Sequence, residues 1–383
     1  MRRTTEGERR RLGETFASLC RIESPSRRER ACADWVSAEL DAIGVEVQED
    51  DAAATTGSDA GNLLARIPGR RSESILICTH LDTVPLDAPV EPVLVDGGWE
   101  NANPAILGAD NKAAVAVAIE LARRLAGGHQ PPEVGLELLF TVCEEVALLG
   151  SKAFAVDNLQ SRFGYVFDHA SPIGEVVLGS PTYYRILAEI HGRAAHAGIR
   201  PEVGRSAIAA AARGIAAMRL GRLDPETTAN IGTITGGTNA NVVPEHCRVE
   251  GEVRSLDRDR AEAVATEMVD HFQEAADAAE CDLDITLERM FEGYRVPPRE
   301  PPVVLAERAL RAAGYEPQHI ASGGGSDANV LRAAGFACVN LANGTERNHE
   351  PTERVSVEAL EGMLEVAIAL FEEAPVVLDG AAR

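Results

Sequence analysis

The segment Ile75-Leu76-Ile77-Cys78-Thr79-His80-Leu81-Asp82 passes from an unbroken apolar run into polar residues. A run of this length is typical of a strand buried on both faces, and open α/β sheets carry their functional side chains where such strands end. His80 and Asp82 are two positions apart, so they point to the same side if the strand continues. An imidazole metal ligand beside a carboxylate that orients it has this arrangement. We therefore predict an α/β sheet here and treat both residues as site candidates, although His-x-Asp after a strand is a weak signal by itself.

The apolar patterns on either side of this strand alternate between helical and extended periods. Helices are predicted at about 6–21, 26–43, 110–126 and 150–157, and strands near 45–49, 62–67, 74–79, 135–142 and 164–168. Alternation of this kind indicates a mixed sheet covered by helices on both faces.

The pattern changes in the middle of the chain. Strands are predicted at 183–192, 229–235, 246–255 and 283–290, with helices at 206–220 and 258–280. The proline-rich segment 294–302 is typical of a linker, and alternation resumes from 303 to an amphipathic helix at 356–373. A chain of 383 residues exceeds the size of a single hydrophobic core. We therefore predict a larger α/β domain of residues 1–180 and 296–383, with a small α+β domain of residues 181–295 inserted into it.

Composition excludes several classes of function. The formal net charge of −23 argues against a nucleic-acid partner, because phosphate binding needs a basic surface. No apolar run reaches the roughly 20 residues that span a bilayer, so no membrane partner is expected. The first residues are charged, unlike a secretory signal. Seven scattered cysteines without a CxxC pair indicate buried free thiols rather than disulfides. We expect a cytoplasmic protein.

Four further polar motifs lie near the ends of predicted strands or in a loop. They contain Asp110 before a buried helix, the adjacent Glu144 and Glu145, Asp168 after an apolar strand, and His349 in a loop. Three of them have an ordinary alternative, because Asp110 fits a helix N-cap, the glutamate pair fits a solvated loop, and a lone histidine in a loop usually has no functional role. Together with His80 they supply two imidazoles and three carboxylates, plus one more glutamate. That set suits two divalent ions about 3.5–4 Å apart, and without a thiolate it favours Zn²⁺, Mn²⁺ or Co²⁺.

With these motifs assembled, the chain resembles the M20 metallopeptidases, and within them the tripeptide aminopeptidases of the peptidase T type. The resemblance spans essentially the whole chain. It rests on His80-Leu81-Asp82-Thr83-Val84-Pro85, Leu107-Gly108-Ala109-Asp110-Asn111-Lys112, the Glu144-Glu145 pair and Gly323-Gly324-Gly325-Ser326-Asp327-Ala328-Asn329. It implies that the larger domain is a metallohydrolase catalytic domain. The inserted domain would be a lid that also joins two subunits into a homodimer.

The resemblance also implies a role for each residue. The ligands would be His80 and Asp168 for one ion, Glu145 and His349 for the other, and Asp110 as the bridge between them. Glu144 would be the general base that deprotonates a metal-activated water and then protonates the leaving amine, while Asp82 would orient His80. Aspartate at 168 resembles the aminopeptidases of the family, whereas glutamate is usual in its carboxypeptidases and deacylases.

The inserted domain carries further matches. His196, in Gly192-Arg193-Ala194-Ala195-His196-Ala197-Gly198, resembles the lid histidine that donates to the tetrahedral oxyanion, typically from the partner subunit. Arg254 matches an arginine that binds the substrate carboxylate, although a surface ion pair is an equal alternative. Asn241, and with less support Asn239, match a lid loop that contacts substrate. The loop with Gly324 and Ser326 could bind substrate or serve as a turn and helix cap.

The predicted function is hydrolysis of a peptide bond in a short peptide with release of the N-terminal residue. An N-acyl-amino-acid or succinyl-diamino-acid deacylase would use the same ions and base, and the sequence does not separate the two. An inactive metal-binding protein is disfavoured because all five ligand positions and Glu144 are present. A nucleophilic hydrolase is disfavoured because no Gly-x-Ser-x-Gly motif occurs at a predicted strand–helix turn.

Overall fold

The computed structural model describes residues 3–381, which divide into two compact units. The first unit contains the chain up to Leu178, the segment Val296–Ser322 and the chain from Ser326 onward. The second contains Gly179–Arg295 and Gly323–Gly325.

Helices and strands alternate along most of the described chain. Its helices are α1 (Glu6–Cys20), α2 (Arg30–Asp41), α3 (Ala53–Thr56), α4 (Ala109–Ala126), α5 (Leu149–Ala153), α6 (Ala207–Ala217), α7 (Arg258–Ala278), α8 (Pro301–Ala313), α9 (Asp327–Ala333) and α10 (Val357–Ala381). Its strands are β1 (Val47–Glu49), β2 (Leu63–Ile67), β3 (Ser74–His80), β4 (Pro92–Val95), β5 (Gly98–Asn101), β6 (Gly135–Thr141), β7 (Phe163–His169), β8 (Glu175–Ser180), β9 (Thr182–His191), β10 (Gly221–Asp224), β11 (Thr227–Gly236), β12 (His246–Ser255), β13 (Asp282–Phe291), β14 (Tyr294–Arg295), β15 (Gln318–Ala321), β16 (Cys338–Ala342), β17 (Thr345–Glu346) and β18 (Arg354–Ser356).

The large sheet of the first unit has β3 near its centre. Its strands lie in the order β1-β2-β6-β3-β7-β16-β8, and β15 pairs with β8. Strand β3 is parallel to both β6 and β7, and β16 is parallel to β7, while β1, β2 and β8 run antiparallel to their neighbours. The carboxyl ends of four parallel strands therefore meet at one edge of the sheet. This arrangement confirms the predicted mixed α/β class.

Complete burial explains the apolar runs that define these strands. Every residue of β3 and β6 is buried, and α4 is buried on almost all sides from Asn111 to Ala122. Small Ala and Val side chains let α4 pack closely against β3, β7, α1 and α10. Burying a side chain such as Leu76 contributes on the order of 2 kcal/mol. All seven cysteines are buried and unpaired, as the sequence predicted.

A small sheet in the first unit positions the loop that contains His349. Its strands lie in the order β17-β18-β5-β4, and Val355 of β18 pairs with Trp99 of β5. The β4–β5 hairpin turns through Asp96 and Gly97, which have φ of +46° and +74° and so fit the Asp-Gly preference of tight hairpin turns. The loop between β17 and β18 brings His349 to the edge of the large sheet where β3 ends.

The second unit is a five-stranded antiparallel sheet with two helices. Its strands lie in the order β10-β11-β12-β9-β13, and α6 and α7 pack against the sheet. Residues of β9 alternate between buried and partly buried along its whole length, so one face of the sheet meets the helices. Strand β14 pairs with the last two residues of β8.

Three predicted segments differ from the structure. The segment 294–302 is only partly a linker, because it contains β14 and because Pro301 and Pro302 begin α8, where their missing amide protons are tolerated. The last helix continues to Ala381 and includes Pro375, well past the predicted end at 373. The predicted helix 150–157 divides into α5 and a 3₁₀ turn at Val156–Asn158. None of the helices in residues 3–381 is long and apolar enough to cross a membrane.

Candidate metal centre

The imidazole of His80 is oriented by the residue two positions after it. His80 is 1% exposed at the end of β3. Its Nδ1 lies 2.9 Å from the backbone oxygen of Asp82 and 3.4 Å from the Asp82 carboxylate. A neutral imidazole that donates through Nδ1 keeps its lone pair on Nε2. That Nε2 atom lies 3.3 Å from Oδ1 of Asp110 and 3.6 Å from Oδ1 of Asp168, so these three predicted ligands come together.

A second group of possible ligands shares Asp110 with the first. Nε2 of His349 lies 2.9 Å from Oε1 of Glu145 and 3.4 Å from Oδ2 of Asp110. Asp110 therefore turns one carboxylate oxygen toward His80 and the other toward His349. Within each group, one possible ligand atom from every residue lies within 4.8 Å of the others.

The backbone around Asp110 is not that of an ordinary helix N-terminus. Gly108 has φ +77°, Asp110 has φ −82° and ψ +104°, and the Asp110–Asn111 peptide is cis. The N-cap position of α4 is occupied by Gly108, and Asp110 lies in its first turn rather than at the predicted N-cap. Its Oδ2 instead accepts a hydrogen bond of 2.8 Å from Nδ2 of Asn348. The Asp110 carboxylate is thus held toward the other candidate ligands.

Glu144 follows β6 and is held by Asp82 rather than by its own strand. Glu144 is 8% exposed, and the Asp82 carboxylate accepts hydrogen bonds from the backbone amides of Glu144 at 2.9 Å and Glu145 at 3.1 Å. Ser26 donates to the same carboxylate at 2.7 Å. A further group of His80, Glu144 and Glu145 also has possible ligand atoms within 4.8 Å of one another. Glu144 therefore lies beside the ligand cluster.

The turn before Glu144 is supported by residues that the sequence analysis did not identify. Cys143 has a left-handed φ of +52°, and its backbone amide donates at 3.0 Å to Glu29, which is fully buried. The amide of Val142 donates at 3.1 Å to the Asn62 side chain. Two buried carboxylates and one amide side chain thus bind four consecutive backbone amides, which fixes the direction in which the two glutamates leave the sheet.

Asp110 has a similar support that the sequence analysis also missed. The carboxylate of Glu353 accepts hydrogen bonds from the backbone amides of Leu107, Gly108 and Asp110, and Glu353 is 2% exposed. The only sequence feature that could have identified Glu353 is its position four residues after His349. A glutamate beside a candidate ligand is common, however, and nothing local marks this one as buried.

Asp168 is held by the neighbouring strand β16. Its backbone amide donates at 3.0 Å to Oδ1 of Asn340, and Nδ2 of Asn340 donates at 3.0 Å to the Asp168 backbone oxygen. The paired hydrogen bonds fix the end of β7 where the Asp168 carboxylate faces His80. The pKa of the neighbouring His169 is lowered by burial.

The electrostatics of the cluster favour bound cations. Burial and the nearby Asp168 raise the pKa of Glu144 well above its usual range, and burial raises the pKa of Glu145. Burial also raises the pKa of Asp168 to about 8. Burial acts in the same direction on Asp110, but hydrogen bonds from His349 and His80 hold its pKa well below the usual range. Ionising buried carboxylates that are crowded in this way costs free energy unless a bound cation compensates their charge. Oxygen and imidazole donors without a thiolate fit divalent ions such as Zn²⁺, Mn²⁺ or Co²⁺.

In the second unit, the structure brings the predicted lid residues His196 and Asn241 into neighbouring segments. His196 and Val242 form an isolated antiparallel bridge, and the amide of Ala197 donates at 2.9 Å to the backbone oxygen of Asn241. The backbone oxygen of Asn239 accepts from the amide of Val242 at 3.1 Å. The side chains of His196, Asn239 and Asn241 are all exposed. They are available to a ligand or a partner.

Arg254 is engaged within its own unit. Its guanidinium makes two hydrogen bonds of 3.1 Å to Glu252 and lies 4.3 Å from the centre of the Tyr183 ring. The ion pair that the sequence analysis weighed as an alternative is therefore present. A substrate carboxylate would have to compete with Glu252 for this guanidinium.

The glycine-rich loop divides between the two units. In the second unit, the backbone oxygen of Gly324 accepts a hydrogen bond of 2.9 Å from Ser180. In the first unit, Ser326 is 1% exposed and precedes α9, where its amide donates to Asn329 at 3.1 Å and its hydroxyl accepts from Asn340 at 3.1 Å. These contacts assign Ser326 to the support of α9, which is the helix-cap alternative.

Two family models match parts of the chain. A model described as the peptidase dimerisation domain of M20 matches residues 183–280, within the second unit. A model described as peptidase family M28 matches residues 62–175. The latter segment contains every candidate ligand except His349.

Comparison with individual proteins extends the likeness to nearly the full length. The uncharacterized protein YqjE of Bacillus subtilis is 36% identical over 366 residues, covering 95% of this chain and 98% of its own. The crystal structure of aminopeptidase PepT from Bacillus cereus is 37% identical with a TM-score of 0.85. That of a tripeptidase from Staphylococcus aureus is 32% identical with a TM-score of 0.90. Both structural matches cover 95% of this chain and 98% of the other.

Proposed function

The chain belongs to the peptidase T-like M20 metallopeptidases, and we propose that it is a dinuclear aminopeptidase that releases the N-terminal residue of short peptides. As a member of this family it is a hydrolase of peptide bonds that works with divalent metal ions. The proposal of two metal ions rests on the position of Asp110. Its Oδ1 lies 3.3 Å from Nε2 of His80, and its Oδ2 lies 3.4 Å from Nε2 of His349. A carboxylate between two imidazoles in this way is the arrangement needed to bridge two ions.

We assign the ligands by the two groups that share Asp110. His80 and Asp168 would complete the first ion site, and Glu145 and His349 the second. Zn²⁺ is the ion we expect, with Mn²⁺ and Co²⁺ as alternatives, because carboxylates and imidazoles are the only donors. Two such ions, when bound, lower the pKa of a water and polarise the scissile carbonyl.

Glu144 is our candidate for the general base. Its backbone is fixed by Asp82, and its carboxylate lies beside His80 and Glu145. It would accept a proton as the water oxygen bonds to the carbonyl carbon. It would then deliver that proton to the nitrogen as the carbon–nitrogen bond breaks, so that the amine leaves uncharged. Asp82 supports this step by holding the turn in which Glu144 lies.

We propose that the second unit is a lid and dimerisation domain. Its match to the dimerisation-domain model supports assembly through this unit, and we expect a homodimer. An exposed histidine such as His196 could then donate a hydrogen bond to the oxyanion in the site of the other subunit. Asn241, Asn239, Gly324 and Arg254 are the proposed substrate contacts, with Arg254 exchanging Glu252 for the peptide carboxylate. The buried free thiols fit the reducing cytoplasm.

The aminopeptidase assignment is supported by Asp168 and by the named activities of the two structural relatives, an aminopeptidase and a tripeptidase. The alternative is a deacylase of N-acylated amino acids, which would use the same ions and base. Product analysis of a tripeptide with three different residues tests the proposal. A free first residue and the C-terminal dipeptide are expected. Release of the last residue instead would make the protein a carboxypeptidase.

A further inference from the structure

Glu353 lies inside the protein with its carboxylate turned to the backbone before α4. It accepts hydrogen bonds from the amides of Leu107 at 2.8 Å, Gly108 at 2.7 Å and Asp110 at 2.9 Å. One oxygen binds the first two amides and the other oxygen binds the third. The carboxylate therefore determines where the Asp110 backbone lies.

The same residue belongs to the loop that carries His349. The amide of Glu353 donates at 2.9 Å to the backbone oxygen of Glu350, so the chain between them forms a tight turn. His349 itself has a left-handed φ of +67°, a backbone conformation that a non-glycine residue adopts only when its surroundings hold it. Glu353 thus joins two segments that are more than 240 residues apart in the chain.

The two ion sites differ in how much they depend on this connection. His80 and Asp168 project from parallel strands and are held by Asp82 and Asn340. His349 lies in a loop, is half exposed, and reaches Asp110 only while that loop stays against the Asp110 turn. A ligand on a loop needs its supporting hydrogen bonds more than a ligand on a packed strand does.

We propose that Glu353 is a positioning residue for the second ion site, the one formed by His349, Glu145 and Asp110, and that it sets the affinity of this site selectively. This inference rests on the dinuclear part of the proposed function. Both carboxylate oxygens of Glu353 accept backbone amides of the Asp110 turn, and Glu353 belongs to neither ligand group, so we expect its effect to be on the distance between His349 and Asp110.

The test measures binding of Zn²⁺ to metal-free protein by calorimetric titration, with elemental analysis after dialysis at fixed free Zn²⁺. Glu353→Gln keeps the size of the side chain but replaces one acceptor oxygen with a donor that faces backbone amides. We expect the weaker of two binding steps to lose on the order of 10- to 100-fold in affinity, with the tighter step unchanged. Glu350→Gln is the matched control, because Glu350 lies in the same loop and is exposed. His349→Ala identifies which step belongs to the second site.

Several results would overturn the inference. Unchanged affinity in both steps would remove Glu353 from metal positioning, and an equal loss in both steps would remove its selectivity. If Glu353→Gln does not fold, Glu353→Asp repeats the test, and failure of both variants to fold would make the residue a general structural one. A wild-type protein that binds a single Zn²⁺ would refute the dinuclear proposal instead. A protein that binds two ions but cleaves no peptide would refute only the proposed activity.

Discussion

The carboxylate of Asp82 accepts a hydrogen bond of 2.9 Å from the backbone amide of Glu144. The resemblance predicted that Asp82 orients His80, and its backbone oxygen contacts Nδ1 of His80 at 2.9 Å. Its side chain additionally binds the turn that carries the proposed general base and one proposed ligand. Asp82 therefore connects His80, at the end of one strand, with the glutamates that follow the next strand.

Replacing Asp82 should disturb both the orientation of His80 and the turn that carries Glu144 and Glu145. We expect Asp82→Ala to lower kcat by about 10- to 100-fold and to weaken metal binding, because Glu144 and Glu145 lose the acceptor for their amides. Asp82→Asn keeps one acceptor oxygen and should lose less. Steady-state kinetics with elemental analysis provides the measurement, and Asp87→Asn, at an exposed position nearby, is the control. Unchanged kcat in Asp82→Ala would contradict the role in positioning Glu144.

Replacing Glu144 tests whether this residue acts as the general base or as a metal ligand. We expect Glu144→Ala to keep both ions and to lose about a thousandfold or more in kcat, since the proton of the attacking water then has no acceptor. Elemental analysis of the variant decides the role, because Glu144 also lies within reach of His80 and Glu145. A variant that loses one ion would show that Glu144 is a ligand.

His196 offers a test of catalysis across a dimer. His196→Ala should fold, bind metal normally and lose about 100-fold in kcat, as expected for removal of an oxyanion donor. His246→Ala, another exposed histidine of the same unit, should leave kcat unchanged.

Mixing two inactive variants then tests whether His196 acts on the partner subunit. A dimer of Glu144→Ala with His196→Ala contains one site with both residues intact. Subunit exchange should therefore restore about a quarter of the wild-type rate. No recovery, although light scattering shows exchanged dimers, would place His196 in its own subunit's site or outside catalysis.

Glu365 of α10 should stabilise the fold in a pH-dependent way. Its carboxylate accepts from the Thr4 hydroxyl at 2.6 Å, the Thr4 amide at 2.9 Å and the Arg3 amide at 2.7 Å. Burial acts to raise its pKa, but the hydrogen bonds from Thr4 lower it below the ordinary 4.5. The stabilisation is therefore present above pH 4.5 and is lost as the pH falls through the folded-state value.

Glu365→Gln tests this contribution. Near pH 7 we expect Tm to fall by a few degrees, equivalent to about 1–2 kcal/mol, and we expect the difference from wild type to shrink as the pH is lowered below 4.5. Thermal unfolding of the metal-free protein at both pH values is the measurement. Glu358→Gln, on the exposed side of the same helix, is the control. A difference in Tm that stays constant with pH would show that the carboxylate charge is not responsible.

The fold and the cluster could be predicted because both depend on local pattern and on sheet geometry. Polar residues at the ends of β3, β6 and β7 must meet once these strands are parallel neighbours, and their apolar runs are evident in the sequence. The short strands β4, β5, β17 and β18 have too few residues for a pattern, so local pattern could not predict that the loop carrying His349 lies beside the end of β3.

The supporting residues could not be predicted, because their roles depend on partners far away in the chain. Glu29 binds Cys143 across 114 residues, and Glu353 binds Asp110 across 243. Neither lies in an apolar run, and each resembles a surface glutamate in its sequence context. Only the folded chain shows that both carboxylates are buried and bound to backbone amides.

The most direct test of the central claim compares initial rates on a free tripeptide and on its N-acetylated form. Metal-free protein is reconstituted with Zn²⁺, Mn²⁺ or Co²⁺ for both substrates. We predict cleavage of the free tripeptide after its first residue and little cleavage once its amino group is acetylated. Activity confined to N-acylated amino acids would contradict the aminopeptidase assignment and identify the protein as a deacylase.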